Sequence, residues 1–155
     1  FTEAAASVWQ ALPEPAREQV LLDYFDPDRG HGYTLGRVHI NSCDFALGNY
    51  AHVEQPGDLE LSSFSIERDR RAVLPFIRAA QAAAGRSLQL LASPWSPPAW
   101  MKTNGSMNHG GHLKAECRAA WARCYARFIH AYQAEGVPIW GVTVQNEPMA
   151  QQVWD

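Results

Sequence analysis

The chain holds 155 residues, 46% hydrophobic and 19% charged, with a formal net charge of −3. So mild a balance gives no electrostatic argument for nucleic acid or an anionic membrane, and nucleic acid is not expected as a partner. No apolar run approaches the ~20 residues that cross a bilayer, while the length is ample for one compact core.

In chain order, residues 2–12 predict a helix ended by Pro13 and Pro15. Residues 16–25 predict a second, with Val20, Leu21 and Tyr24 at helical spacing. A turn over 26–30 leads to a strand at 33–40, where Arg37 and His39 share one face and Val38 and Ile40 the other. The polar stretch 41–68 is longer than an ordinary connection, and such loops are usually functional. A helix over 69–84 contains Pro75, which implies a kink or a late start, and Gly85 ends it. A strand at 87–92 and another long loop, 93–114, follow. The helix at 115–135 puts Trp121, Tyr125, Phe128 and Tyr132 on one stripe, a pattern that reads as core. Gly136 stops that helix. The last strand, 139–145, is nearly continuous apolar and β-prone, as expected of a parallel strand buried on both faces.

Of the three cysteines, Cys117 and Cys124 lie on one predicted helix, roughly 10 Å apart by rise and too far to bridge. With Cys43 they read as packed free thiols. The order αα-β-α-β-α-β, with long loops after strands and short ones after helices, implies right-handed crossovers and a parallel sheet. The fold class is α/β, a portion of a (β/α)8 barrel: three units are under half of an eight-stranded barrel, which needs roughly 250 residues. The start at Phe1-Thr2-Glu3 and the end at Trp154-Asp155 both read as cuts in a longer polypeptide.

Unusual residues collect after each strand: Asn41-Ser42-Cys43-Asp44, then Ser93-Pro94-Trp95-Ser96-Pro97-Pro98-Ala99-Trp100, then Asn146-Glu147-Pro148. Strand ends on one rim of a parallel barrel converge, so a carboxylate, an indole and an Asn/Glu pair are expected to share a pocket. That mixture suits a sugar, whose C–H faces meet aromatics while its hydroxyls meet carboxylates and amides. Glu147 at an apolar strand end is expected to be kept from water, which favours its role as a proton donor. Because Asn146 and Glu147 are adjacent, alternation separates them unless the strand bulges or twists at its end. Arg37, facing the barrel interior, needs an acidic partner, and none stands nearby in the sequence. Trp100 reads as a packing residue, and His109-x-x-His112, in a Gly-rich loop without a carboxylate at ligand spacing, does not make a metal site.

The run Leu91-Ala92-Ser93-Pro94-Trp95-Ser96-Pro97-Pro98-Ala99-Trp100-Met101-Lys102-Thr103-Asn104-Gly105 strongly resembles the corresponding segment of glycoside hydrolase family 30, the family of glucosylceramidases and β-1,6-glucanases. Arg37–Phe45, Val142–Pro148 and the opening Phe1–Ala6 resemble its other signatures. The resemblance implies a retaining β-glycosidase on a (β/α)8 barrel, with this chain supplying about strands two to four. Glu147 then matches the acid/base, Asn146 the residue that binds the sugar 2-hydroxyl, Asp44 and Trp95 positions contacting the sugar's outer hydroxyls, and Arg37 an arginine supporting the nucleophile. The family's nucleophile falls beyond residue 155, so the isolated chain is expected to be inactive and to need the remainder of the same polypeptide to close the barrel. No cofactor or metal is implied. The substrate would be a β-linked glucoside or glucan, the compartment secreted, periplasmic or lysosomal, and the alternative a barrel remnant that binds carbohydrate without turnover.

Overall fold

The computed structural model describes residues 1–150; the end at Trp154-Asp155 lies outside the described residues. Two helices open the chain. α1 (Glu3–Ala11) is capped by the Thr2 hydroxyl, which accepts from the Ala5 N–H at 3.3 Å. α2 (Glu14–Phe25) carries Pro15 in its first turn, where a missing N–H costs nothing. Its apolar positions are less buried than their spacing predicts: Leu21 and Phe25 reach the core only partly, and Tyr24 is exposed. Tyr24 and Phe25 border an apolar groove of about 780 Å³ shared with Phe1, Trp9 and the outer edge of the first strand.

Three strands follow, β1 (Leu35–Ile40), β2 (Gln89–Pro94) and β3 (Ile139–Val142), all parallel and in the order β1-β2-β3. Between β1 and β2 lie the short α3 (Glu67–Arg71) and α4 (Val73–Ala84). The helix expected over 69–84 is thus interrupted at Ala72, whose ψ of −53° and φ of −139° leave the helical basin. Pro75 falls in the first turn of α4, so the late start is the form the proline's effect takes. α5 (Arg118–Ala134), preceded by a 3₁₀ turn at Ala115–Cys117, connects β2 to β3. Each strand–helix–strand step is a crossover of the kind that builds barrels.

The core lies between sheet and helices. Val38 and Ile40 from β1 and Leu90 and Ala92 from β2 meet Val73, Leu74 and Ile77 of α4 and Phe128 and Tyr132 of α5. The predicted aromatic stripe of α5 is therefore core, with only Tyr125 partly exposed. Cys43, Cys117 and Cys124 are free and buried.

β3 departs from expectation. It ends at Val142, three residues before the predicted end, and its register against β2 jumps from Leu90–Ile139 to Leu91–Gly141, so Trp140 is an extra, bulged residue. Nor is it buried on both faces: Trp140 is 65% and Val142 44% exposed. The reason is position. β3 is the outer strand of a three-stranded sheet, and among the described residues nothing packs over that side. No helix among the described residues is long and apolar enough to cross a membrane.

Candidate active site

The three parallel strands deliver their C-terminal ends to one rim. β1 and β2 pair through Ile40–Pro94, so Asn41 and Trp95 leave the ladder side by side. Beyond the end of β3 the chain still follows β2: the Thr143 N–H donates to Ala92 O at 3.0 Å and the Asn146 N–H to Pro94 O at 2.7 Å. The Thr143 hydroxyl adds a bond to Ser93 Oγ at 2.9 Å.

Arg37 organises what stands on this rim. Its guanidinium lies over the Trp95 indole, 4.7 Å from the ring centroid, and donates through Nη2 to Asn146 Oδ1. A cation on an aromatic face and a bond to a carboxamide hold Arg37 of β1 and residues from the ends of β2 and β3 in one cluster. The partner found is an amide oxygen, where the sequence called for a carboxylate. The same bond fixes the amide's orientation. With Oδ1 turned to Arg37, Asn146 presents Nδ2 on its other side, 3.5 Å from Glu147 Oε2.

Asn146 and Glu147 do reach one place, but through a turn and not through a strand bulge at 146. Glu147 adopts a left-handed φ of 44°, a conformation costing a non-glycine residue on the order of 1 kcal/mol and one that concentrates at functional sites. The dry setting expected of Glu147 is absent from these residues: its side chain is exposed, because the open sheet provides no wall over it. Trp95, by contrast, is 8% exposed, and its Nε1 is buried with no hydrogen-bond partner among the described residues. Asp44 lies on the exposed turn after β1; its carboxylate forms no hydrogen bond or ion pair among the described residues and is not drawn into the Arg37 cluster. Trp100, read as packing, is half-buried and donates its Nε1–H to Val53 O at 2.9 Å.

A buried network beneath the rim was not foreseen. His39, on β1, accepts the Glu3 N–H on Nε2 at 3.1 Å and so carries its proton on Nδ1, which donates to Asn41 O at 2.6 Å. Asp69, fully buried, accepts from Tyr50 Oη at 2.8 Å, His52 Nε2 at 2.9 Å and Tyr132 Oη at 2.7 Å. Burial pushes the Asp69 carboxyl upward, but the facing His52, its hydrogen bond, His39 and the Tyr132 bond outweigh it and hold the group at about 2. Burial lowers His39 below its ordinary 6.5 and raises the Tyr132 and Tyr50 phenols. Burial likewise pushes the Cys43 thiol up to about 11, which makes it inert. A polar residue at a helix start, Asp69 gives no sequence signal of this role; its partners are 17, 19 and 63 residues away.

Among the described residues no group of three or more His, Cys, Asp and Glu is placed to hold a metal ion. His109 sits at a φ of 63° in an exposed loop.

Comparison with known proteins adds a second line. The family model described as glycosyl hydrolase family 30 TIM-barrel domain matches residues 1–153. Lysosomal acid glucosylceramidase of Mus musculus is 38% identical over 155 residues, covering 97% of this chain and 30% of its own length. Endo-1,6-beta-D-glucanase of Neurospora crassa is 31% identical over 154 residues, covering 96% of this chain and 32% of the relative. In structure, SrfJ from Salmonella typhimurium superposes with a TM-score of 0.94 at 43% identity, over 100% of this chain and 34% of that one. The chain thus spans about a third of the length of the relatives it matches.

Proposed function

The chain belongs to glycosyl hydrolase family 30, and on that premise we propose that it carries the acid/base half of a retaining β-glycosidase. The observation that carries the reading is the Arg37 cluster, in which a β1 side chain joins Trp95 and Asn146, with Glu147 adjoining, at the ends of the next two strands of a barrel portion.

In this reading a glucosyl ring lies against the rim. Asn146 Nδ2, turned away from Arg37, reaches the 2-hydroxyl. The Trp95 Nε1–H, without an acceptor among the described residues, donates to an outer hydroxyl, and Asp44 reaches the sugar's far edge when the loop after β1 meets it. Glu147 protonates the departing glycosidic oxygen, then takes a proton from the attacking water. A retaining mechanism requires a second carboxyl about 5–5.5 Å away as nucleophile, and none of the acids in residues 1–155 matches it. It would come from a later strand of the same polypeptide, which would also cover the open face of the sheet and draw Glu147 out of bulk water.

The relatives' names point to a β-linked glucoside or β-1,6-glucan as substrate and, through the lysosomal one, to a secreted, periplasmic or lysosomal setting. The exposure of Glu147 is the observation that favours the second reading, a carbohydrate-binding barrel remnant without turnover. Incubating the purified chain with a nitrophenyl β-glucoside separates these statements. We expect no hydrolysis; turnover that disappears in Glu147→Gln would contradict the need for a second carboxyl from elsewhere. Glycan capture abolished in Trp95→Ala, in a barrel-complete protein that still hydrolyses nothing, would favour the remnant.

A further inference from the structure

Trp95 is suspended between two asparagines. On one side, the Asn146 N–H holds the carbonyl of the residue before it, Pro94, at 2.7 Å. On the other, Asn41 Nδ2 holds the carbonyl of the residue after it, Ser96, at 3.0 Å. The β1–β2 ladder ends at Ile40–Pro94, and one step later Asn41 turns into the left-handed region at a φ of 61°. Its backbone is then spent elsewhere. The N–H reaches His52 Nδ1 at 3.4 Å and the carbonyl accepts from His39 Nδ1 at 2.6 Å. The side chain takes over the work of the ladder, with Nδ2 bonding across to Ser96 while Oδ1 accepts the His52 N–H at 3.0 Å. Asparagine suits this place because its short carboxamide is compatible with a left-handed backbone and offers a donor and an acceptor together. The residue is 2% exposed, so both halves of the amide are committed to the protein.

We propose that Asn41 is a positioning residue for the sugar-facing indole: its carboxamide, aligned by His52 and through it by Asp69, fixes the backbone at 94–96 and so sets the plane of Trp95 beneath Arg37. The inference rests on reading Trp95 as the sugar-facing indole, but its test involves neither sugar nor turnover, so failure here is distinguishable from failure of that reading.

Two substitutions separate positioning from a purely structural role. Asn41→Asp tolerates the left-handed backbone and keeps an acceptor for the His52 N–H, but loses the donor to Ser96. Asn41→Gly keeps the backbone and loses both bonds. The readout is the indole N–H proton resonance of Trp95, identified by its absence in Trp95→Phe, and the exchange of that proton with solvent. In both variants the resonance shifts and exchange speeds by at least about tenfold, while the indoles of Trp9, Trp100, Trp121 and Trp140 stay where they were. If Asn41 serves only to anchor the loop carrying His52, Asn41→Asp behaves as the parent does, and that result overturns the proposal. Should the variants not fold, the unsubstituted chain decides. A through-hydrogen-bond coupling between the Asn41 amide nitrogen and the Ser96 carbonyl supports the assignment, and its absence refutes it.

Discussion

Asp69 shows how much of this molecule is decided by single buried groups. One carboxylate accepts three hydrogen bonds, from Tyr50, His52 and Tyr132, with no exposure to water. Replacing it by asparagine leaves one oxygen for three donors and turns an NH₂ toward them. We expect Asp69→Asn to lose on the order of 3 kcal/mol in urea unfolding. The same group gives a pH signature. Its folded value of about 2 lies below the ordinary 3.8, so the folded form is favoured above that value and the benefit fades as pH falls from about 4 toward 2. The loss amounts to roughly 2 kcal/mol. His39 acts in the same direction at higher pH. Its folded value is depressed from 6.5, so the unfolded chain takes up a proton first and stability begins to fall as pH drops below that point. Thermal unfolding measured from pH 7 to about pH 2 should show a decline in two stages, the lower one flattened in Asp69→Asn; a stability that does not change with pH would contradict both assignments.

At the scale of elements, α5 and β3 carry opposite lessons. The stripe on α5 was legible because Trp121, Phe128 and Tyr132 recur at helical spacing and are buried where that spacing puts them. Phe128 is fully buried against Tyr132, with ring centroids 4.1 Å apart, so Phe128→Ala should cost about 3–5 kcal/mol in chemical denaturation. The apolar run after Val137 invited the reading of a strand buried on both faces, yet Trp140 is largely exposed. Composition records the environment for which a strand is suited, and here one face of that environment lies outside the sheet. Trp140→Ser should therefore change the stability of this chain by no more than about 0.5 kcal/mol; a loss like that at Phe128 would mean the outer face is covered after all. The same contrast governs the rim. Local runs singled out Trp95, Asn146 and Glu147 as candidates, because a proline-locked aromatic and an acid after an apolar strand are visible in a window of ten residues. The Asn41–His52–Asp69 network was hidden, because its bonds join residues 11 to 17 positions apart across a loop of no regular pattern.

At the largest scale, a sheet that among the described residues has two free edges and an open face sets the behaviour. Leu35 on the outer edge of β1, Trp140 on β3, and Val144 and Met149 after it are all exposed, and an unpaired edge flanked by apolar side chains is a template for association. Light scattering of the purified chain should show mass rising with concentration. A strict monomer at every concentration would show that the open face needs no cover. The proposed retaining mechanism depends, however, on the chemistry assigned to Glu147. The most direct measurement compares two β-glucosides in the Glu147→Gln variant of the barrel-complete polypeptide, one with a dinitrophenyl leaving group that needs no proton and one with an alkyl leaving group that does. If Glu147 is the acid, formation of the glycosyl-enzyme from the activated substrate is nearly unchanged while that from the alkyl glucoside slows by about 10²–10⁴-fold. Equal losses on the two substrates, or no loss on either, would contradict it.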